Sequence, residues 1–99
     1  MVAYEVTVSV REDLAEPFER YMRDKHIPEI LATGCFTRIR FEQASPTLFR
    51  TRYEAASRAD LDRYLGGHTA HFRQDFLAHF PEGCAPSREI WDPLQVFPG

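Results

Sequence analysis

Three patterns in the sequence predict an α+β domain in which a four-stranded antiparallel sheet carries two helices on one face. Residues 2 to 10 set Val2, Tyr4, Val6, Val8 and Val10 on one parity against Ala3, Glu5, Thr7 and Ser9 on the other, the period of a half-buried strand. Two further runs, 35 to 42 and 48 to 54, flank the turn-forming stretch Gln43-Ala44-Ser45-Pro46-Thr47 and read as a hairpin. Helical segments opening at Glu16-Pro17 and at Ser57, with a last strand around 86 to 92, complete the order strand, helix, strand, strand, helix, strand. That order is the ferredoxin-like βαββαβ arrangement.

Each element has a local reason. Pro17 suits the first helical position, and Phe18, Tyr21, Met22 and the stem of Lys25 form the inner stripe of the first helix. Pro28 disfavours helical geometry at Ile27, so the helix is expected to bend or stop there and restart over Pro28 to Leu31. Gly34 suits the left-handed residue that ends it. Ser57, with Asp60 three residues on, caps a second helix running through Leu61, Tyr64 and Leu65. Gly66-Gly67 interrupts this helix, which resumes with His68, Phe72 and Phe76 and ends at Pro81-Glu82-Gly83. Residues 1–92 form one domain, and 93–99 read as an irregular tail.

Composition bounds the function. A chain of 99 residues, 43% apolar and 27% charged, is one globular domain with a single core. Its formal charge of −3 argues against a general nucleic-acid binder, which carries a basic excess to displace counterions. Lys25 is the only lysine. Arginine suits planar carboxylate or phosphate partners, although genome composition is the simpler source of the bias. Cys35 and Cys84 form no C-x-x-C pair and read as reduced packing residues. Neither a basic leader followed by an apolar run nor a membrane-length segment is visible, so a cytoplasmic protein without membrane or nucleic-acid partners is expected.

The sheet face that the helices leave uncovered carries the candidate binding residues. Arg38, Arg40 and Glu42 share it with Arg50, Arg52 and Glu54, and strand one adds Glu5, Thr7 and Ser9. A register pairing Arg38 with Glu54 and Glu42 with Arg50 relieves most like-charge repulsion and leaves Arg40 and Arg52 without a hairpin partner. Such a surface is a solvated charge ladder, an anion-recognising floor or a set of dimer salt bridges. Trp91, on the opposite parity from Ile90, either joins it as an aromatic wall or sits in the core, the preferred place for a tryptophan. Tyr4 and Tyr53 are further aromatic neighbours unless they face the core.

Among the histidines, His26 stands before the Ile27-Pro28 break, as an acid-base group or a capping, partly buried structural residue. His68 shares a stripe with Leu61, Leu65 and Phe72 and reads as a core-edge residue; with His71 it forms an H-x-x-H pair, to which spacing adds no third metal ligand. His79 near a helix end suits the dipole there. No nucleophilic triad, phosphate loop or dinucleotide fingerprint is present, so no metal or cofactor is assigned.

The segments YEVTVSV, YMRDKHIPEILATGCF and TRYEA followed by LDRYLGGHTAHFRQDFLAHF resemble a family of small bacterial proteins known only as a domain of unknown function. The most specific part is H-I-P-x-x-L-A-T-G-x-F, from His26 to Phe36. The resemblance implies a fold similar to dimeric α/β-barrel proteins, with two sheets facing each other across a cavity, and brings no reaction with it. The resulting expectation is a homodimer that holds a small anionic or aromatic metabolite in a cleft on the helix-free face. There Arg38, Arg40, Arg50, Arg52 and Trp91 bind the ligand, Arg40 and Arg52 orient it, and His26 or His68 transfers protons if there is chemistry. The rivals are a non-catalytic dimerisation module and a haem- or metal-handling protein using His26 or His68.

Overall fold

A computed structural model describes residues 1–99 and has the predicted order. Strand β1 (Val2–Val10) leads through a 3-10 turn (Glu12–Leu14) into helix α1 (Ala15–Tyr21), a π-helical turn (Met22–His26) and helix α2 (Ile27–Leu31). Strands β2 (Arg38–Ser45) and β3 (Leu48–Ala55) follow, then helices α3 (Arg58–Gly67) and α4 (Thr69–His79) and strand β4 (Cys84–Trp91). The sheet order is β2-β3-β1-β4 with every pair antiparallel, so this is the ferredoxin-like α+β fold. No helix is long and apolar enough to cross a membrane.

Strand alternation sorts the sheet into two faces as the sequence predicts. Val2, Tyr4, Val8 and Val10 of β1 and Phe49, Thr51, Tyr53 and Ala55 of β3 are buried. Facing them lie Phe18, Tyr21 and Met22 from the first helical stretch and Leu61, Tyr64 and Phe72 from α3 and α4. The apolar residues form two clusters, one under α3 and one under α1, with Val6 of β1 against both.

Two local expectations need correction. The helix neither stops nor leaves helical geometry at Ile27, whose backbone has φ −65° and ψ −46°. Instead the chain widens into the π turn over Met22–His26, immediately ahead of Pro28. Proline lacks an N–H and its ring crowds the carbonyl four residues back, so an extra residue in the preceding turn relieves the conflict without breaking the helix. The hairpin turn is also tighter than predicted: β2 runs to Ser45 and β3 starts at Leu48, with a register irregularity between Gln43 and Ser45.

The expected helix ends hold. The Ser57 hydroxyl accepts the Asp60 N–H at 3.2 Å, a cap worth about 1 kcal/mol. Gly34 has φ +75° and closes α2 before the chain turns toward β2. The expected interruption comes one residue later than the glycines: Gly66 and Gly67 are the last residues of α3, and the break falls at His68, with the non-helical φ of −128°. Residues 92–99 carry no regular structure, and Leu94, Val96 and Phe97 of this tail are largely exposed.

Candidate functional site

The pocket with the most convergent chemistry lies on the helix side of the sheet. Its floor is Tyr4, Val6 and Val8 of β1, Tyr53 of β3, and Pro86 and Arg88 of the edge strand β4. Its roof is Met22 and His26 of the π turn, Tyr64 of α3, and Thr69, Phe72, Arg73 and Phe76 of α4. It encloses about 50 Å³, room for a few waters at roughly 10–15 Å³ each. Arg73 and Arg88 are exposed, which places the mouth at the β4 edge. Both guanidinium charges act on the Tyr64 phenol, offsetting part of the rise that burial and Tyr4 impose on it.

The π turn aims His26 into this wall. Its ring packs edge-on to Phe72, at 5.9 Å between centroids, and lies 6.1 Å from that of Phe76. Burial among these rings pushes the imidazole pKa down to about 4, against the opposing pull of the Asp75 and Glu29 carboxylates, so the ring is neutral at pH 7. Its Nδ1 lies 3.3 Å from the Tyr21 hydroxyl, which donates to Asp75 Oδ2 at 2.6 Å. Lys25 Nζ donates to the same carboxylate oxygen at 3.1 Å and also pairs with Glu29. The hydrogen bonds from Tyr21 and Lys25 hold Asp75 below the usual carboxylate range. His26 has helical backbone angles and makes no capping hydrogen bond, so the capping role is replaced by one in the pocket wall.

The arginines predicted to bind a ligand lie across the sheet from this pocket. Cross-strand pairing sets Arg38 beside Glu54, Arg40 beside Arg52 and Glu42 beside Arg50, the register in which most like-charge repulsion is relieved. Arg50 donates to Glu42 at 2.9 Å. Arg52 is not left free: its Nε is 3.3 Å from Glu54 and its guanidinium 3.8 Å from Glu5. Trp91 pairs with Ala3 on this same face and is 50% exposed, so it is not the core tryptophan expected. Tyr4 and Tyr53, offered as neighbours of the arginines, instead face the helices and line the pocket. A shallow depression of about 400 Å³ on the helix-free side is bounded by Glu5, Thr7, Glu42 and Arg50 among others, and Arg38, Arg40, Arg52 and Trp91 do not line it. Within one chain, His26 and the four arginines therefore do not share one site.

The other histidines stand apart. His68 is half-buried beside Tyr64, its ring nearly parallel at 6.1 Å, and does not line the pocket. His71 is exposed, and His79 Nδ1 hydrogen-bonds the Asp75 carbonyl at 2.9 Å. No three His, Cys, Asp or Glu side chains come together in a metal-binding arrangement. Cys35 and Cys84 are free thiols, and burial raises the pKa of the latter.

Sequence reading missed Tyr21, Tyr64, Arg73, Asp75 and Arg88 as site residues. Two carried a visible signal: Arg88 has the inward parity of Pro86 and pairs with Val6, and Arg73 sits four residues from Thr69 and three from Phe76. An arginine on an otherwise apolar stripe marks a pocket rim. Asp75 carried none, because its partner Tyr21 is 54 residues away.

Comparison with solved structures gives the fold the same placement. A Nitrosomonas europaea protein provisionally assigned as an antibiotic biosynthesis monooxygenase superposes with a TM-score of 0.70 at 20% identity, covering 96% of this chain and 100% of that one. The protein of unknown function NE2512, also from Nitrosomonas europaea, gives 0.68 at 14% identity, with 99% and 95% coverage. Rv0793 from Mycobacterium tuberculosis gives 0.65 at 17% identity, with 97% and 98% coverage. At these identities the likeness is one of fold. No curated protein matches in sequence. The family model for the domain of unknown function DUF4286 matches residues 1–93, nearly the whole chain, and the protein belongs to that family.

Proposed function

We propose that the protein binds a small organic acid with an apolar or aromatic body in the helix-side pocket. The observation that carries this reading is the convergence of Arg73 and Arg88, from two different elements, on the mouth of a pocket walled by Tyr4, Tyr53, Tyr64 and Phe72. Guanidinium forks suit a carboxylate or phosphate, and the aromatic wall supplies apolar burial for the rest. The inner volume takes one end of such a molecule, and its anionic end stays between the arginines.

Calorimetric titration with small aromatic carboxylates tests this. The double variant Arg73→Ala/Arg88→Ala is expected to bind about ten- to a hundredfold more weakly, the loss of charge-assisted hydrogen bonds, with little change in melting temperature because both side chains are exposed. Equal affinity in the double variant, or no binding of any such acid by the parent protein, removes the reading.

A second reading, self-association through the helix-free face, has its own observation. One row across the sheet reads Arg40, Arg52, Glu5, Glu89, positive at the β2 end and negative at the β4 end. A two-fold axis along the strands would lay the positive end of one copy over the negative end of the other, with Trp91 and the exposed Leu94, Val96 and Phe97 adding apolar surface. Solution mass measurements are expected to show a dimer that Arg40→Glu or Glu89→Arg weakens and the double exchange restores. A monomer at all concentrations contradicts this reading.

A further inference from the structure

We infer that Asp75, acting through Tyr21, locks His26 as its Nδ1–H tautomer, so that Nε2 is a hydrogen-bond acceptor in the pocket wall and the ligand carries an O–H or N–H at its inner end. The ligand class is then a small hydroxyaryl or similar acid: a donor group facing His26 and an anionic group between Arg73 and Arg88. The inference deepens the pocket reading above and rests on it for the ligand, but its tautomeric part stands alone.

The tautomer follows from counting protons. Tyr21 has one hydroxyl proton and gives it to Asp75 Oδ2 at 2.6 Å, the shorter of its two contacts. Asp75 is ionised, held so by Tyr21 and Lys25, and has no proton to return. The Tyr21 oxygen is therefore an acceptor toward Nδ1 of His26 at 3.3 Å, and Nδ1 must carry the hydrogen. A neutral imidazole carries only one, so Nε2 has a lone pair and no partner in the chain. The surrounding rings of Phe72 and Phe76 offer it nothing polar. A group that resists protonation in this setting accepts a hydrogen bond without taking the proton, so His26 recognises the ligand and does not deprotonate it. Tyr21 and Asp75 are positioning residues: neither lines the pocket.

Long-range nitrogen-proton correlation NMR of labelled protein at pH 7.5 tests the first part. The signals of His26 are assigned by their loss in His26→Gln. The expected pattern is a protonated Nδ1 and an unprotonated Nε2, and Tyr21→Phe, which keeps the ring packing against Phe76 and Phe80, is expected to shift His26 toward a tautomer mixture. An Nε2–H form in the parent protein, or an unchanged tautomer in Tyr21→Phe, overturns the lock. Titration with 4-hydroxybenzoate and benzoate tests the second part. The hydroxylated acid is expected to bind about three- to tenfold more tightly, the worth of one neutral hydrogen bond, and to lose that advantage in His26→Gln. Equal binding of the two acids overturns the donor requirement alone, whereas binding of neither overturns the ligand class together with the pocket reading and leaves the tautomer result standing.

Discussion

Replacing Phe18 with alanine is expected to remove about 3–5 kcal/mol of stability, a large part of the roughly 5–15 kcal/mol that holds a domain of this size together. Phe18 has no exposed surface, and its ring sits at the centre of one core cluster. Phe49 lies 5.1 Å from it, Phe80 6.0 Å, Phe76 6.1 Å and Phe41 6.3 Å, contributed by β3, β2 and the last helix with its end. Such a cage of rigid rings cannot collapse into the space a benzyl group leaves, so both the transfer loss and the cavity cost apply. Urea unfolding measures the difference directly. A loss under about 1 kcal/mol would mean that these rings close over the gap.

The second large effect is a loss of stability in mild acid carried by His26. An unfolded histidine binds a proton below about pH 6.5, while the folded His26, desolvated by its ring neighbours, resists protonation until about pH 4. Between these values the unfolded state binds more protons than the folded one, so stability rises with pH across the window and falls as pH is lowered through it. The full shift corresponds to at most about 3 kcal/mol. Asp75 acts in the same direction lower down: its pKa is held below the usual value by Tyr21 and Lys25, so its stabilisation is lost as pH falls through the folded value. Denaturant unfolding from pH 7 to pH 4 is expected to show this slope in the parent protein and a flatter one in His26→Gln, which cannot titrate. An equal slope in both would assign the acid sensitivity to the carboxylates alone.

His26 also shows how far a local signal reaches. Its place before Ile27-Pro28 marked it as unusual in the sequence, and proline chemistry predicted a disturbance there. The form of that disturbance, a π turn inside a continuous helix, depended on the helix being held against the sheet by Phe18, Tyr21 and Met22 on one side of it and Ile30 on the other. Tertiary packing made continuing the helix better than breaking it.

The chain by itself determined the order of elements, the antiparallel hairpin register and the two faces of the sheet. These follow from period-two alternation, from Arg-Glu complementarity between neighbouring strands, and from the caps at Ser57 and Gly34, all of which act over a few residues or across one turn. What only the tertiary structure decided is which residues share a site. Tyr21 meets Asp75 from 54 positions away, and Arg73 of a helix and Arg88 of an edge strand line one pocket. Trp91 is exposed because its parity places it beside Ala3 on the face that no helix covers, and only the tertiary structure shows that face uncovered. Periodicity assigns a side chain to a face, but the distance between two faces, and what is left open between them, is fixed by how the helices settle on the sheet.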